Sequence, residues 1–223
     1  MRKVYQRPAA KVWRHPTKAT DEIWQMDATN FFVPDFGYYK AIPVLDDHSR
    51  KLLACPVKPD ESSQSASDAV EMALETARSE GHAVDTKPTL LTDNGSGFAG
   101  EVLSKYLRAR GVRHIFGAPY HPQTQGKVER FNRTMKEKVN LWVYGTPENL
   151  QAAIDKMVEE YNDTPHGALQ NVSPNDVYAG RKDEVLERRA EIRLETMARR
   201  YAYNMGRTPG SQLLSGWKYS QNR

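Results

Sequence analysis

The sequence predicts an α/β domain whose mixed sheet is covered by helices on both faces. Three features carry that expectation. Residues 22–57 read as three strands joined by turns, residues 62–116 as helix, strand, helix, strand, and residues 123–161 as two long amphipathic helices.

From Glu22 to Val33, Trp24, Met26, Ala28 and Phe32 alternate with Gln25, Asp27 and Thr29, with Phe31 the exception on the second side. That is the period of a strand. Gly37 breaks the chain, YYKAIPVL follows as a second strand, Asp46-Asp47-His48-Ser49 turns it, and LLACPV returns as the third. Pro43 removes a ladder donor from the second strand, so a bulge or break is expected there. A helix over 62–78 places Val70, Leu74 and Ala77 on one stripe, with Gly81 just past its end. The apolar strand TLLT ends at Asp93, Asn94-Gly95 turns the chain, and a helix from about Phe98 to Arg110 stops at Gly111. Val112 to Phe116 is the fifth strand. Pro119 and Pro122 bracket a loop before a helix from about Gln123 to Trp142; the next starts at Pro147 and runs to about Tyr161 on Leu150, Ile154, Met157 and Val158. Leu186, Ala190, Leu194, Met197 and Tyr201 form one face of a helix over 183–203, and the residues after Asn204 read as a flexible tail.

The 223 residues divide into a basic arm (1–20), an α/β core (21–180) and a basic carboxyl-terminal helix and tail (181–223). The net charge of +4 is unevenly spread: the arm carries six basic groups and no acid, the last segment ten basic and five acidic, and the core 16 basic against 23 acidic. Basic flanks on an acidic middle suit contact with a polyanion, or else solvated tails. No run of about 18 apolar residues and no apolar signal core follows the basic start, so neither a membrane span nor secretion is indicated and an intracellular protein is expected. The single cysteine, Cys55, excludes an internal disulfide and disfavours zinc modules.

Three acids stand out. Asp27 lies on a strand whose opposite side is apolar, where an ionised carboxylate is costly unless hydrogen bonds or a cation compensate it. Asp93 ends a buried strand before NGSG, a turn that lets the backbone approach a ligand; an Asx-turn cap explains it equally well. On the helix after Gln123, at about 100° per residue, Val128, Phe131, Met135, Val139 and Trp142 form the core face. Glu129, Arg133, Lys136 and Asn140 form a strip beside it that either lines a cleft or holds a surface Glu129–Arg133 pair. Three carboxylates are hard ligands suited to Mg²⁺ or Mn²⁺, and two such ions about 3.5–4 Å apart clamp the attacking and leaving oxygens of a phosphodiester displacement. Nine basic groups over 105–138, Lys127, Arg130, Arg133 and Lys136 among them, put cations near these acids, as a polyanionic substrate requires.

WQMD at 24–27, LDDHSR at 45–50, LTDNGSGF at 91–98, PYHPQTQGKVERFNRTMK at 119–136, YNDTPH at 161–166 and SPNDVY at 173–178 resemble, in order and spacing, the catalytic region of bacterial insertion-sequence transposases of the retroviral-integrase-like group. The 35 residues between Asp93 and Glu129 match that group's Asp, Asp, 35, Glu pattern. VLERRAEIRLETMARR at 185–200 is similar to the carboxyl end of such transposases.

The resemblance implies a ribonuclease-H-like mixed five-stranded sheet and a DNA strand-transferase. Asp27, Asp93 and Glu129 would be the catalytic metal ligands for two Mg²⁺ or Mn²⁺ ions, with Asp27 shared. Arg133 and Lys136 would contact donor-end DNA, with Lys127 and Arg130 on the same helix. Tyr120, His121, Gln123 and Gln125 lie in the loop that approaches the scissile phosphate, and Asn94 orders its turn or touches DNA. The implied partners are element-end and target DNA and further copies of the chain. The family's amino-terminal helix-turn-helix region is not encoded in the basic first twenty residues, so the chain is expected to be a catalytic core lacking it, or a piece of a longer product. A non-catalytic DNA-binding protein of this fold and a nuclease that cleaves without joining are the alternatives. The last helix is expected to pack against another subunit, DNA or its own domain.

Overall fold

The computed structural model describes residues 17–82, 88–95, 97–117 and 126–206. The first compact unit ends at Tyr178 and contains every strand among the described residues. A five-stranded sheet is built from β1 (Ile23–Met26), β4 (Val44–Asp46), β5 (Leu52–Ala54), β7 (Thr89–Thr92) and β8 (Arg113–Phe116), in the order β5-β4-β1-β7-β8. β4 is antiparallel to both β5 and β1, whereas β1, β7 and β8 run parallel. The mixed sheet is therefore as expected from the sequence.

Each of the three strands expected before residue 58 is broken in two, and the pieces form a second sheet of β2 (Thr29–Val33), β3 (Gly37–Ala41) and β6 (Val57–Lys58). The breaks lie side by side, at Asp27-Ala28, Ile42-Pro43 and Cys55-Pro56. Two have prolines that cannot donate to a ladder, and Asp27 takes the Ala28 N–H onto its own Oδ1 at 2.8 Å. One unbroken strand over 22–33 is thus corrected. Phe32, placed with Trp24 and Met26 by the alternation, is 54% exposed, whereas Phe31, the exception to it, is 2% exposed. Trp24 and Met26 are covered by the helices on their side, whereas beyond the break Phe32 pairs edge-on with Tyr38, itself exposed.

Helix α1 (Ser63–Ser79), capped by Ser62, and α2 (Glu101–Arg110), ended by left-handed Gly111, cover one face with Val70, Ala73, Leu74, Leu103 and Leu107. On the other face, α3 (Gly126–Val139) and α4 (Pro147–Asp163) bury Phe131, Met135, Val139, Leu150, Ile154 and Met157 against Leu45, Leu52 and Phe31. Thr146 caps α4 ahead of Pro147. A short 3-10 turn (Gly167–Leu169) and α5 (Pro174–Tyr178) complete the unit. The edge strand β5 is covered by Asn162, whose side chain accepts the Leu52 N–H at 2.9 Å and donates to the Leu52 carbonyl at 3.0 Å. Asn162→Ala leaves both backbone groups buried without partners, and a loss of about 2 kcal/mol in unfolding free energy is expected in denaturant titration.

The second unit is α6 (Lys182–Asn204), a helix over the span its periodicity indicated. No described helix is long and apolar enough to cross a membrane.

Candidate active site

β1 and β7 are adjacent parallel strands with Gln25 opposite Leu91. Asp27 follows the last residue of β1 and Asp93 the last residue of β7, so both leave the sheet at the same edge, outside the carboxyl ends of parallel strands. Gln25, Asp27 and Thr29 share one side of the chain, the side that α3 covers. Glu129, in the first turn of α3, faces Asp27 across an open cleft of about 500 Å³. Arg133, Lys136 and Asn140 line the same cleft, and among the described ion pairs Glu129–Arg133 does not occur. The strip beside the core face is therefore a cleft wall.

The Asp27 carboxyl is pushed above the ordinary carboxylate range, first by burial and then by the negative charges of Asp93 and Glu129; the Ala28 N–H and the Asn132 amide, at 2.8 Å, oppose the shift. Its acidic neighbours raise it and no cation among the described residues pairs with it. Asn132 is 7% exposed; its Nδ2 donates to Asp27, while its Oδ1 is buried without a partner. Among the described residues, no three acid, histidine or cysteine side chains stand close enough to hold one ion as a set. The negative charges of both Asp93 and Glu129 reach Asp27, and Glu129 lines the same cleft as Asp27.

Asp93 itself is exposed and accepts the Gly95 N–H at 2.8 Å, the Asx turn that its sequence allowed. Asn94 is half-buried beside it. The glycines that follow admit a protein neighbour: a Cβ on Gly97 would lie 1.8 Å from the Glu61 carbonyl oxygen. Ser63 Oγ donates to the Gly97 carbonyl at 2.7 Å, so the turn bearing Asp93 is fastened to the start of α1. Arg130 is exposed on α3, and Lys127 is engaged by Asp47, its Nζ 2.5 Å from Oδ2. Burial lowers the Lys127 ammonium pKa and the Asp47 carboxylate works against that shift. Tyr120, His121, Gln123 and Gln125 lie outside the described residues.

Sequence reasoning missed Asn132, Gln25, Asp47 and Glu61. Asn132 had a signal, since it projects between the core face and the charged strip of α3. Gln25 had one too, as the single polar residue inside an apolar strand.

Two family models, both described as integrase core domain, match residues 17–122 and 110–174. Among curated proteins the chain is similar to the Gag-Pro-Pol polyprotein of squirrel monkey retrovirus, 34% identical over 119 residues, covering 53% of this chain and 6% of that protein. The Pol-related polyprotein of mouse intracisternal A-particle MIA14 is 36% identical over 117 residues, covering 52% of this chain and 12% of that protein. The Pro-Pol polyprotein of feline foamy virus is 27% identical over 188 residues, covering 81% of this chain and 15% of that protein. The chain spans only a small part of these relatives' length. Among solved structures, the HTLV-2 integrase catalytic core domain in complex with magnesium superposes with a TM-score of 0.55 at 20% identity, over 72% of this chain and 97% of that one. The simian T-cell lymphotropic virus intasome in complex with the PP2A regulatory subunit B56 gamma gives 0.58 at 21%, over 78% and 59%. These likenesses show the fold.

Proposed function

Since the chain belongs, over residues 17–174, to the integrase core domain family, we propose that it hydrolyses and transfers DNA strands at the ends of a mobile element. The observation that carries the reading is the siting of Asp27, Asp93 and Glu129: two adjacent parallel strand ends and a helix turn bring carboxylates together until their charges oppose ionisation of the buried one. The donor set fits a hard divalent cation, because a carboxylate raised by burial and like charge gains most from one, and the orphaned Asn132 Oδ1 leaves an acceptor in the same cleft. Asp27, Asp93 and Glu129 would hold Mg²⁺ or Mn²⁺, as two ions with Asp27 shared, a reading that the charge of both other acids at Asp27 supports. Bound there, the metal would supply Lewis-acid stabilisation of the attacking and leaving oxygens of phosphodiester transfer.

The chain's own groups do the rest. Asn132 and the Ala28 N–H orient the Asp27 carboxylate, while Arg133 and Lys136 on the cleft wall bind the phosphates flanking the scissile bond. Arg130, Asn94, Tyr120, His121, Gln123 and Gln125 are proposed as further DNA contacts. The motif set supports a bacterial insertion sequence as the element. Several copies of the chain would assemble on its ends, with end recognition supplied by a helix-turn-helix region, and the basic α6 would contact DNA or another copy. The core at 21–180 would carry the chemistry, between the arm at 1–20 and the segment at 181–223.

The test is incubation of labelled element-end DNA and target DNA with Mn²⁺, using the wild type beside Asp93→Asn. Cleavage and joined products are expected from the wild type, and a loss of about 10³-fold in the variant. Equal activity in both would overturn the assignment, and cleavage without joining would make the protein a nuclease.

A further inference from the structure

The start of α3 is fastened to β1 by two buried polar side chains, Gln25 and Asp47, and the half-buried Lys127, none of which lines the cleft. Gln25 is 2% exposed, and its amide is used at both ends: Nε2 donates to Asp47 Oδ1 at 2.6 Å, and Oε1 accepts the Val128 N–H at 3.2 Å. Asp47, 6% exposed, accepts Lys127 Nζ and Thr17 Oγ1 on its other oxygen, at 2.5 and 2.7 Å. Lys127 also donates to the Asp47 carbonyl at 2.8 Å, and the Asp47 N–H is bound to the Ile23 carbonyl of β1 at 2.9 Å.

The Val128 N–H belongs to the first turn of α3, where helix donors have no partner within the helix. Gln25 caps it from another element, and the Asp47 carboxylate beside the helix start is favoured by the helix dipole. The two fastened residues, Lys127 and Val128, immediately precede Glu129, while Gln25 lies two residues before Asp27 on the same side of its strand. A shift of the first turn of α3 would therefore change the separation of Glu129 from Asp27.

We propose that Gln25, Asp47 and Lys127 form a clip that sets Glu129 against Asp27, and that Lys127 is a positioning residue and not a DNA contact. The proposal rests on the reading of Asp27 and Glu129 as metal ligands. A cation held on a buried carboxylate, with further bonds satisfying that carboxylate, is committed to the protein, whereas the cations of the cleft wall, Arg133 and Lys136, face the space where a phosphate chain would lie.

The test is calorimetric titration of the full chain with Mn²⁺, for the wild type, Asp27→Asn, Lys127→Met and Gln25→Met, beside DNA binding in the absence of metal at several salt concentrations. In Lys127→Met the Mn²⁺ affinity should fall by about 10-fold or more, with metal-free DNA affinity and its salt dependence unchanged. Gln25→Met leaves the Lys127–Asp47 pair in place and guards against a folding failure of the first variant. It should weaken Mn²⁺ binding in the same direction and speed amide exchange at Val128. Unchanged Mn²⁺ affinity in Gln25→Met would overturn the clip. So would a Lys127→Met variant that binds Mn²⁺ normally but loses DNA affinity and about one unit of salt slope. Absence of Asp27-dependent Mn²⁺ binding in the wild type would instead remove the metal reading on which the clip depends.

Discussion

Asp27→Asn is expected to abolish Mn²⁺-dependent DNA cleavage and, in the same protein freed of metal, to raise the melting temperature by a few degrees at neutral pH. The first follows from the loss of a proposed metal ligand, the second from the raised pKa of a carboxyl that is buried and feels the charges of Asp93 and Glu129. The unfolded chain leaves Asp27 in water, where it ionises near the ordinary aspartate value of 3.8. Ionising it in the folded protein requires a higher pH, so between the two values the unfolded chain binds fewer protons and stability falls as pH rises. The penalty is absent below the unfolded value and complete above the folded one. Asparagine removes the charge and retains an acceptor for the Ala28 N–H. The gain in melting temperature should therefore fade as the pH is lowered toward 4, and saturating Mn²⁺ should stabilise the wild type more than the variant. Calorimetric melts at several pH values, with and without Mn²⁺, check the signs; a variant less stable than wild type at pH 7.5 without metal would contradict the account.

Gly97→Ala is expected to cost about 3 kcal/mol or more and to weaken Mn²⁺ binding. The added methyl would stand 1.8 Å from the Glu61 carbonyl oxygen and 2.8 Å from its carbon, which are backbone atoms that cannot rotate aside. Relief requires the 93–97 turn to move away from the start of α1, against the Ser63–Gly97 hydrogen bond, and Asp93 travels with that turn. At roughly 2–4 °C per kcal/mol for a chain of this size, the melting temperature should fall by roughly 6–12 °C. Gly145→Ala is the control, because nothing lies within 4 Å of its Cβ position, and it should melt close to the wild type. Equal melting of the two variants would show that the turn is not held as described.

The carboxylates and the cleft wall were legible in the sequence because each has a periodic or positional signal. Arg133, Lys136 and Asn140 repeat at helical spacing beside the buried stripe of Phe131, Met135 and Val139, and the structure puts them on the wall of the cleft that Asp27 and Glu129 share. The breaks at Ile42-Pro43 and Cys55-Pro56 were only half legible: Pro43 announced a break, but that three breaks would align and divide one set of strands between two sheets depends on pairing across the chain. That Phe31 is buried and Phe32 exposed was not legible for a similar reason, since alternation tells which residues share a side and not which side is covered.

The sequence by itself determined the alternation of strand and helical segments and singled out the three acids as candidate ligands, because those follow from local periodicity and from motifs in register. Only the tertiary structure decided that Gln25 and Asp47 fasten the first turn of α3, that Asn132 reaches Asp27, and that Gly97 leaves room for Glu61. These contacts join residues far apart in the chain, and a side chain's partner across such a distance is set by how the layers pack, which no local spacing encodes.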